Sequence, residues 1–124
     1  MTKKTKDYFI NNCKVIEKQP GEFYRWSSRF NKYIPLKLTI NTKCHPYGKD
    51  ISYVFCNFQD FELKKNFGYP FHRFLWIWKY GDIPDKYDIH HIDGNPLNNN
   101  ISNLAVISRK ENLKERRGKK NQYV

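Results

Sequence analysis

Eight consecutive residues, Asp93-Gly94-Asn95-Pro96-Leu97-Asn98-Asn99-Asn100, constrain this chain more than any other stretch. Asn and Asp side chains bond to nearby backbone, Gly supplies positive φ and Pro removes a donor, so no helix or strand runs through them. A loop is required here, and its flanks decide what it joins. Residues 87–92 read as a short strand, and residues 104–107 are apolar and β-like, able to return beside it. Ser108-Arg109-Lys110-Glu111 then reads S-x-x-E, the capping box that opens a helix. That helix is expected to start at Ser108, to hold Asn112 in its first turn and to end near Arg117, with Gly118 as its stop. The order over residues 87–117 is therefore strand, loop, strand, helix, followed by a basic tail over 118–124 that is expected to fray.

Upstream the periodicity differs. Residues 1–21 are polar and irregular, apart from an apolar patch at Tyr8-Phe9-Ile10. Residues 23–58 read as strands. Ile34, Leu36, Leu38 and Ile40 alternate with other residues, the period of a half-buried strand, and residues 51–58 are rich in β-branched and aromatic side chains. His45-Pro46-Tyr47-Gly48 is a turn candidate. At 71–80 the period becomes helical: Phe71, Phe74, Leu75 and Trp78 form an aromatic stripe, best read as a core face, with Gly81 as the stop. His72 and Arg73 lie to one side of that stripe. The chain is thus expected to be α+β: an N-terminal antiparallel sheet within residues 1–70, a linking helix, and the hairpin with its capped helix over 71–117.

One ordinary domain of 124 residues accommodates all of this. Twenty-three Lys and Arg stand against 12 Asp and Glu, a formal net charge of +11, which favours a polyanionic partner. No apolar run approaches the ~20 residues of a membrane span, and no apolar stretch follows the basic N-terminal residues as in a signal peptide. Nucleic acid is the commonest such partner and an acidic membrane surface is the rival; an RNA-directed or ribosome-associated protein fits the charge and aromatics as well. Cys13, Cys44 and Cys56 are odd in number and form no C-x-x-C pair, so they read as ordinary thiols. Cys44, His45 and Cys56 lack a fourth ligand at zinc-ribbon spacing.

The chemistry concentrates at His90 and His91. Hairpin pairing brings them near residues 104–107, and the capped helix folds back to set Asn112 beside them. Phosphodiester hydrolysis needs a base for water, a cation for developing charge and groups that hold the phosphate. Histidine suits the base, because imidazole titrates near ~6.5. One imidazole and one amide oxygen, from His90 and Asn112, are a sparse and mostly hard donor set, suited to Mg²⁺ or Mn²⁺. Adjacent strand residues point to opposite faces. For His90 and His91 to share a site, the strand must therefore end or bulge there. Read without further context, a His-His pair and an Asn-rich loop are also ordinary features of a polar protein.

Phe71-His72-Arg73-Phe74-Leu75-Trp76, Ile89-His90-His91-Ile92-Asp93-Gly94-Asn95-Pro96-Leu97-Asn98-Asn99, Asn103-Leu104 and Arg109-Lys110-Glu111-Asn112 occur in that order. Together they resemble the HNH endonucleases of phage and homing type, over residues 72–117. The resemblance implies a ββα-metal fold and metal-dependent DNA cleavage that leaves 5′-phosphate and 3′-hydroxyl ends. It implies His91 as the general base. Asn103 is then the middle Asn that pins the loop and orients the base, and His90 and Asn112 are metal ligands. His90 stands where phage homing members usually have Asp, so Mn²⁺, Co²⁺ or Ni²⁺ are candidates beside Mg²⁺. Asp93 is better read as a turn residue than as a ligand, and Asn98, Asn99 and Asn100 as loop braces. Arg73, Arg109, Lys110, Lys114, Arg116 and Arg117 are candidate phosphate contacts, with a solvated charged face as the alternative. Arg25, Arg29, Lys32, Lys37 and Lys43 are available for a DNA-contacting N-terminal sheet. One site per monomer implies nicking, and a homodimer would cut both strands. A catalytically inactive nucleic-acid-binding module is the competing function.

Overall fold

The computed structural model describes residues 4–43 and 51–111. The turn expected at 45–48, Cys44, Asn112, the rest of the helix expected to run to Arg117 and the basic tail lie outside the described residues.

The fold is α+β and its strand pairing is antiparallel throughout. Helix α1 (Lys6–Asn11) is capped by Thr5, whose Oγ1 accepts the Tyr8 N–H at 3.1 Å. It buries Tyr8 and Phe9, the apolar patch of an otherwise polar segment. Strands β1 (Val15–Gln19), β2 (Glu22–Ser27) and β3 (Lys32–Pro35) form one sheet. Strands β4 (Lys37–Lys43), β5 (Ile51–Asp60) and β6 (Lys65–Pro70) form a second.

The alternating run from Ile34 to Ile40 is therefore two strands in different sheets. Leu36 still donates to the Phe23 carbonyl at 3.1 Å, but from Lys37 the chain pairs with Asn57 on β5. Pro35, which has no N–H to give to a ladder, stands at the break. The alternation does not produce a buried face on β4: Leu38 and Ile40 remain 49% and 63% exposed.

Strand β6 runs directly into α2 (Phe71–Tyr80), the linking helix. Its apolar face buries Phe74, Ile77 and Trp78, while Phe71 and Leu75 pack at the margin. Gly81, at φ 103°, ends it, and its N–H caps the Ile77 carbonyl. Strands β7 (Tyr87–His91) and β8 (Leu104–Ser108) form the expected hairpin in unbroken register, with His90 opposite Ala105 and His91 opposite Leu104.

One core joins these parts. Phe74 lies with its ring centroid 5.0 Å from Phe9, 5.0 Å from Phe23 and 5.2 Å from Phe58, in edge-on and tilted contacts. Ile89 and Leu104 of the hairpin belong to the same buried cluster, so α2 carries the hairpin against the N-terminal strands. A buried Asp60 carboxylate ties β5 to α1 by accepting the Tyr8 hydroxyl at 2.5 Å. Asp60 also accepts the Glu62 and Leu63 N–H groups, and the Leu63 bond leads the interactions that hold its carboxyl below the usual range. Cys13 and Cys56 are free and buried, and burial pushes the Cys13 thiol up to about 12. Among the described residues no helix is long and apolar enough to cross a membrane.

Candidate active site

The loop between β7 and β8 is built by its own side chains. Gly94 adopts φ 77°, a left-handed conformation that a Cβ disfavours, directly after Asp93. Asp93 Oδ1 accepts the Asn95 N–H at 2.8 Å, and Oδ2 accepts Asn98 Nδ2 at 2.8 Å. These bonds, led by that from Asn98 and joined by one from Asn103, hold the Asp93 carboxyl down to about 2. Asn100 accepts the Ser102 N–H and opens a single 3₁₀ turn, Ile101–Asn103, before β8.

Asn103 closes the loop across its mouth. Its Oδ1 accepts the Asp93 N–H at 3.0 Å, and its Nδ2 donates at 2.9 Å to both Asp93 Oδ1 and the Asn98 carbonyl. Its own carbonyl accepts the Ile92 N–H at 2.8 Å. An amide does what no other side chain of this size does here: it presents one acceptor and two donors to backbone and carboxylate at once.

His91 is the last residue of β7, on the same face as the buried Ile89, and is 8% exposed. Its Nε2 lies 2.7 Å from Asn99 Oδ1. An amide oxygen only accepts, so this contact places the ring proton on Nε2 and leaves the lone pair on Nδ1. His72 of α2 stacks at a tilt against the His91 ring, centroids 4.8 Å apart. Burial pushes the His72 imidazole down to about 3, and the charges of His91 and Arg73 act in the same direction.

His90, half-buried, faces the other side of the hairpin, as strand alternation requires. The strand has no bulge, but it ends at His91, so both histidines stand at its terminus. Asp88 shares the face of His90. Arg73 Nη1 lies 3.8 Å from its Oδ1, and Arg109 Nε lies 3.5 Å from the same oxygen. Two candidate phosphate contacts, one from α2 and one from the last helix, thus converge on one carboxylate, while Lys110 is exposed. The capping box is half visible: Ser108 Oγ accepts the Glu111 N–H at 3.2 Å, and residues 109–111 are helical.

Among the described residues no group of three or more His, Cys, Asp or Glu could hold a metal ion. The donor set implied by the sequence is smaller, His90 with Asn112, and Asn112 lies outside the described residues, as do Lys114, Arg116 and Arg117. His90, partly open to solvent near the strand end, fits a ligand of an ion that keeps much of its water. Sequence reasoning missed His72 and Asp88 as neighbours of the site. Asp88 stands on β7 two residues before His90 and gains its role only through the arginines that converge on it, while His72 reaches the site through packing of α2 on β7. Asn99 was read only as a brace, but its amide faces His91.

The segment that holds the hairpin, its pinned loop and the capped start of the last helix is the one that matches a family model described as HNH endonuclease, over residues 69–114. Two relatives are similar to part of the chain. One is the "SPbeta prophage-derived putative HNH homing endonuclease YosQ" of Bacillus subtilis (strain 168), 43% identical over 44 residues, which are 36% of this chain and 25% of the relative. The other is "Protein 3.8" of Escherichia phage T7, 48% identical over 42 residues, 32% of this chain and 35% of the relative. The match thus spans a quarter to about a third of these relatives' length. No solved structure gives a significant match.

Proposed function

We propose that the chain is a metal-dependent DNA endonuclease whose base is His91. The observation that carries this reading is the His91–Asn99 contact at 2.7 Å inside the HNH segment, which leaves Nδ1 of a nearly buried imidazole free to take a proton. In this mechanism Nδ1 removes a proton from a water molecule, the water oxygen forms a bond to phosphorus as the P–O3′ bond breaks, and the departing 3′ oxygen takes a proton from solvent to become the hydroxyl. Asn99 holds the ring in its productive tautomer, and the positive charge gained by His91 spreads toward the Asn99 oxygen. Asn103 positions rather than reacts: it holds the loop that carries Asn99. His90 and Asn112 would hold Mg²⁺ or Mn²⁺, with Co²⁺ or Ni²⁺ as alternatives, and the ion supplies Lewis-acid stabilisation of the phosphoryl oxygen and leaving group. Arg73, Arg109, Lys110, Lys114, Arg116 and Arg117 would contact phosphates, the first two by exchanging Asp88 for the DNA. Double-stranded DNA is the substrate, nicked by a monomer or cut on both strands by a homodimer, in a bacterial or phage-infected cytoplasm.

A supercoiled-plasmid assay with nicked and linear products resolved tests this. Wild-type protein is expected to cleave with Mg²⁺ or Mn²⁺ and not with EDTA. His91→Ala is expected to lose about 100-fold or more of the rate, the usual contribution of a general base, while still binding DNA. Wild-type-like cleavage by that variant would remove His91 from the mechanism. DNA binding with no cleavage under any metal would leave only the inactive binding module.

A further inference from the structure

Arg25 of β2 lies at the seam between the two N-terminal sheets. Its Nε is buried and has no hydrogen-bond partner, while Nη1 donates to the Trp26 carbonyl at 3.4 Å. Arg25 as a whole is half-buried, and an unmet donor at its buried Nε calls for an acceptor. The same side chain lines an open cleft of about 450 Å³, within the roughly 300–1,000 Å³ of ordinary ligand clefts. Lys37 of β4 lines it too, with Asn57 and Gln59 of β5 and Asn66 of β6. Asn57 and Gln59 share one face of β5, because Phe58 between them turns into the core. Strand pairing aligns Lys37 with Asn57, and Gln59 with Asn66. Among the described residues the lining therefore holds two cations, three carboxamides and no carboxylate.

Asn57 spends its amide donors on the Lys37 carbonyl and Thr39 Oγ1, which leaves its Oδ1 over Gly68. A Cβ at Gly68 would lie 3.8 Å from that oxygen, and Gly68 has no left-handed φ. The missing side chain keeps the cleft open rather than serving a turn. Two cations without a carboxylate select an anion. A guanidinium fork matches the paired oxygens of a phosphodiester, and carboxamides donate to and accept from sugar and base edges.

We propose that this cleft is a phosphate-binding subsite, in which Arg25 and Lys37 hold one backbone phosphodiester of DNA and the carboxamides meet the nucleotide beside it. The choice of DNA as the phosphate source rests on the function proposed above; the anion chemistry of the cleft does not. Fluorescence anisotropy of a labelled duplex, in EDTA so that no strand is cut, tests it on wild-type protein, Lys37→Gln and the cleft-filling Gly68→Leu. Both variants should melt as wild type does. Each is expected to bind about 3- to 10-fold more weakly and to lower the slope of log affinity against log salt by about one, as loss of one phosphate contact does. Wild-type affinity and slope in both would overturn the subsite. If wild-type protein binds no duplex, the DNA reading fails instead, and the Arg25 Nε–H resonance decides the cleft. A shift on adding inorganic phosphate supports the subsite, and no shift overturns it.

Discussion

At the scale of the residue, the hairpin terminus is a matter of where protons sit. Asn99 sets the His91 tautomer, and burial, with the charges of His91 and Arg73 acting the same way, keeps the His72 imidazole neutral beside it. His72 has a folded pKa pushed down to about 3 from an ordinary 6.5. Below 6.5 the unfolded chain takes up a proton that the folded chain refuses, so stability rises with pH across this window and is lost on acidification from about 6.5 toward 3. Melting temperature followed over that range should therefore fall, and His72→Asn should flatten the fall between pH 6.5 and 4. An unchanged slope in the variant would place the sensitivity elsewhere. The depressed Asp93 and Asp60 carboxyls act lower, below about 3.8, where protonation removes their hydrogen bonds. His91 was legible in the sequence as a candidate base. Its partners were not equally so: Asn99 lay in a run of three asparagines with nothing to rank them, and His72 lay on another element.

At the scale of the element, the hairpin was legible almost whole. Turn formers act on their own backbone, and the bonds from Asp93, Asn95, Asn98 and Asn100 to residues two or five positions along are of that local kind. Asn103 is the exception that spans the loop. Asn103→Ala removes three side-chain hydrogen bonds and is expected to cost about 1–2 kcal/mol in chemical denaturation, allowing for water to replace part of them. Ser108→Ala removes the N-cap acceptor of the last helix and is expected to cost about 1 kcal/mol. A loss well under 0.5 kcal/mol in the same measurement would mean that the cap is redundant. Strands β3 and β4 were less legible. Alternation over Ile34 to Ile40 reports that one face is apolar, but not that a layer covers it, nor that Pro35 marks a change of partner strand.

At the scale of the whole molecule, one aromatic cluster makes the HNH segment part of the same body as the N-terminal sheets. Phe74 sits at its centre, fully buried against Phe9, Phe23 and Phe58. Phe74→Ala is expected to cost about 3–5 kcal/mol and, through α2, to loosen His72 from His91 as well. A urea titration measures the first, and loss of the tilted-ring chemical shifts on His91 reports the second. A variant that kept wild-type stability would show that the core is not shared in this way. The sequence by itself determined what local chemistry determines: the loop and its hairpin, the helix of the aromatic stripe, the capped start of the last helix, the basic excess, and His91 with Asn103 as the residues to examine. Only the tertiary structure decided which side chains meet across elements. His72 under His91, Arg73 and Arg109 on Asp88, and Arg25 at the seam of two sheets all depend on how layers pack, and packing joins residues whose separation along the chain carries no periodic signal. The hairpin loop could be read because its bonds are short-range; its surroundings could not, because they belong to other elements.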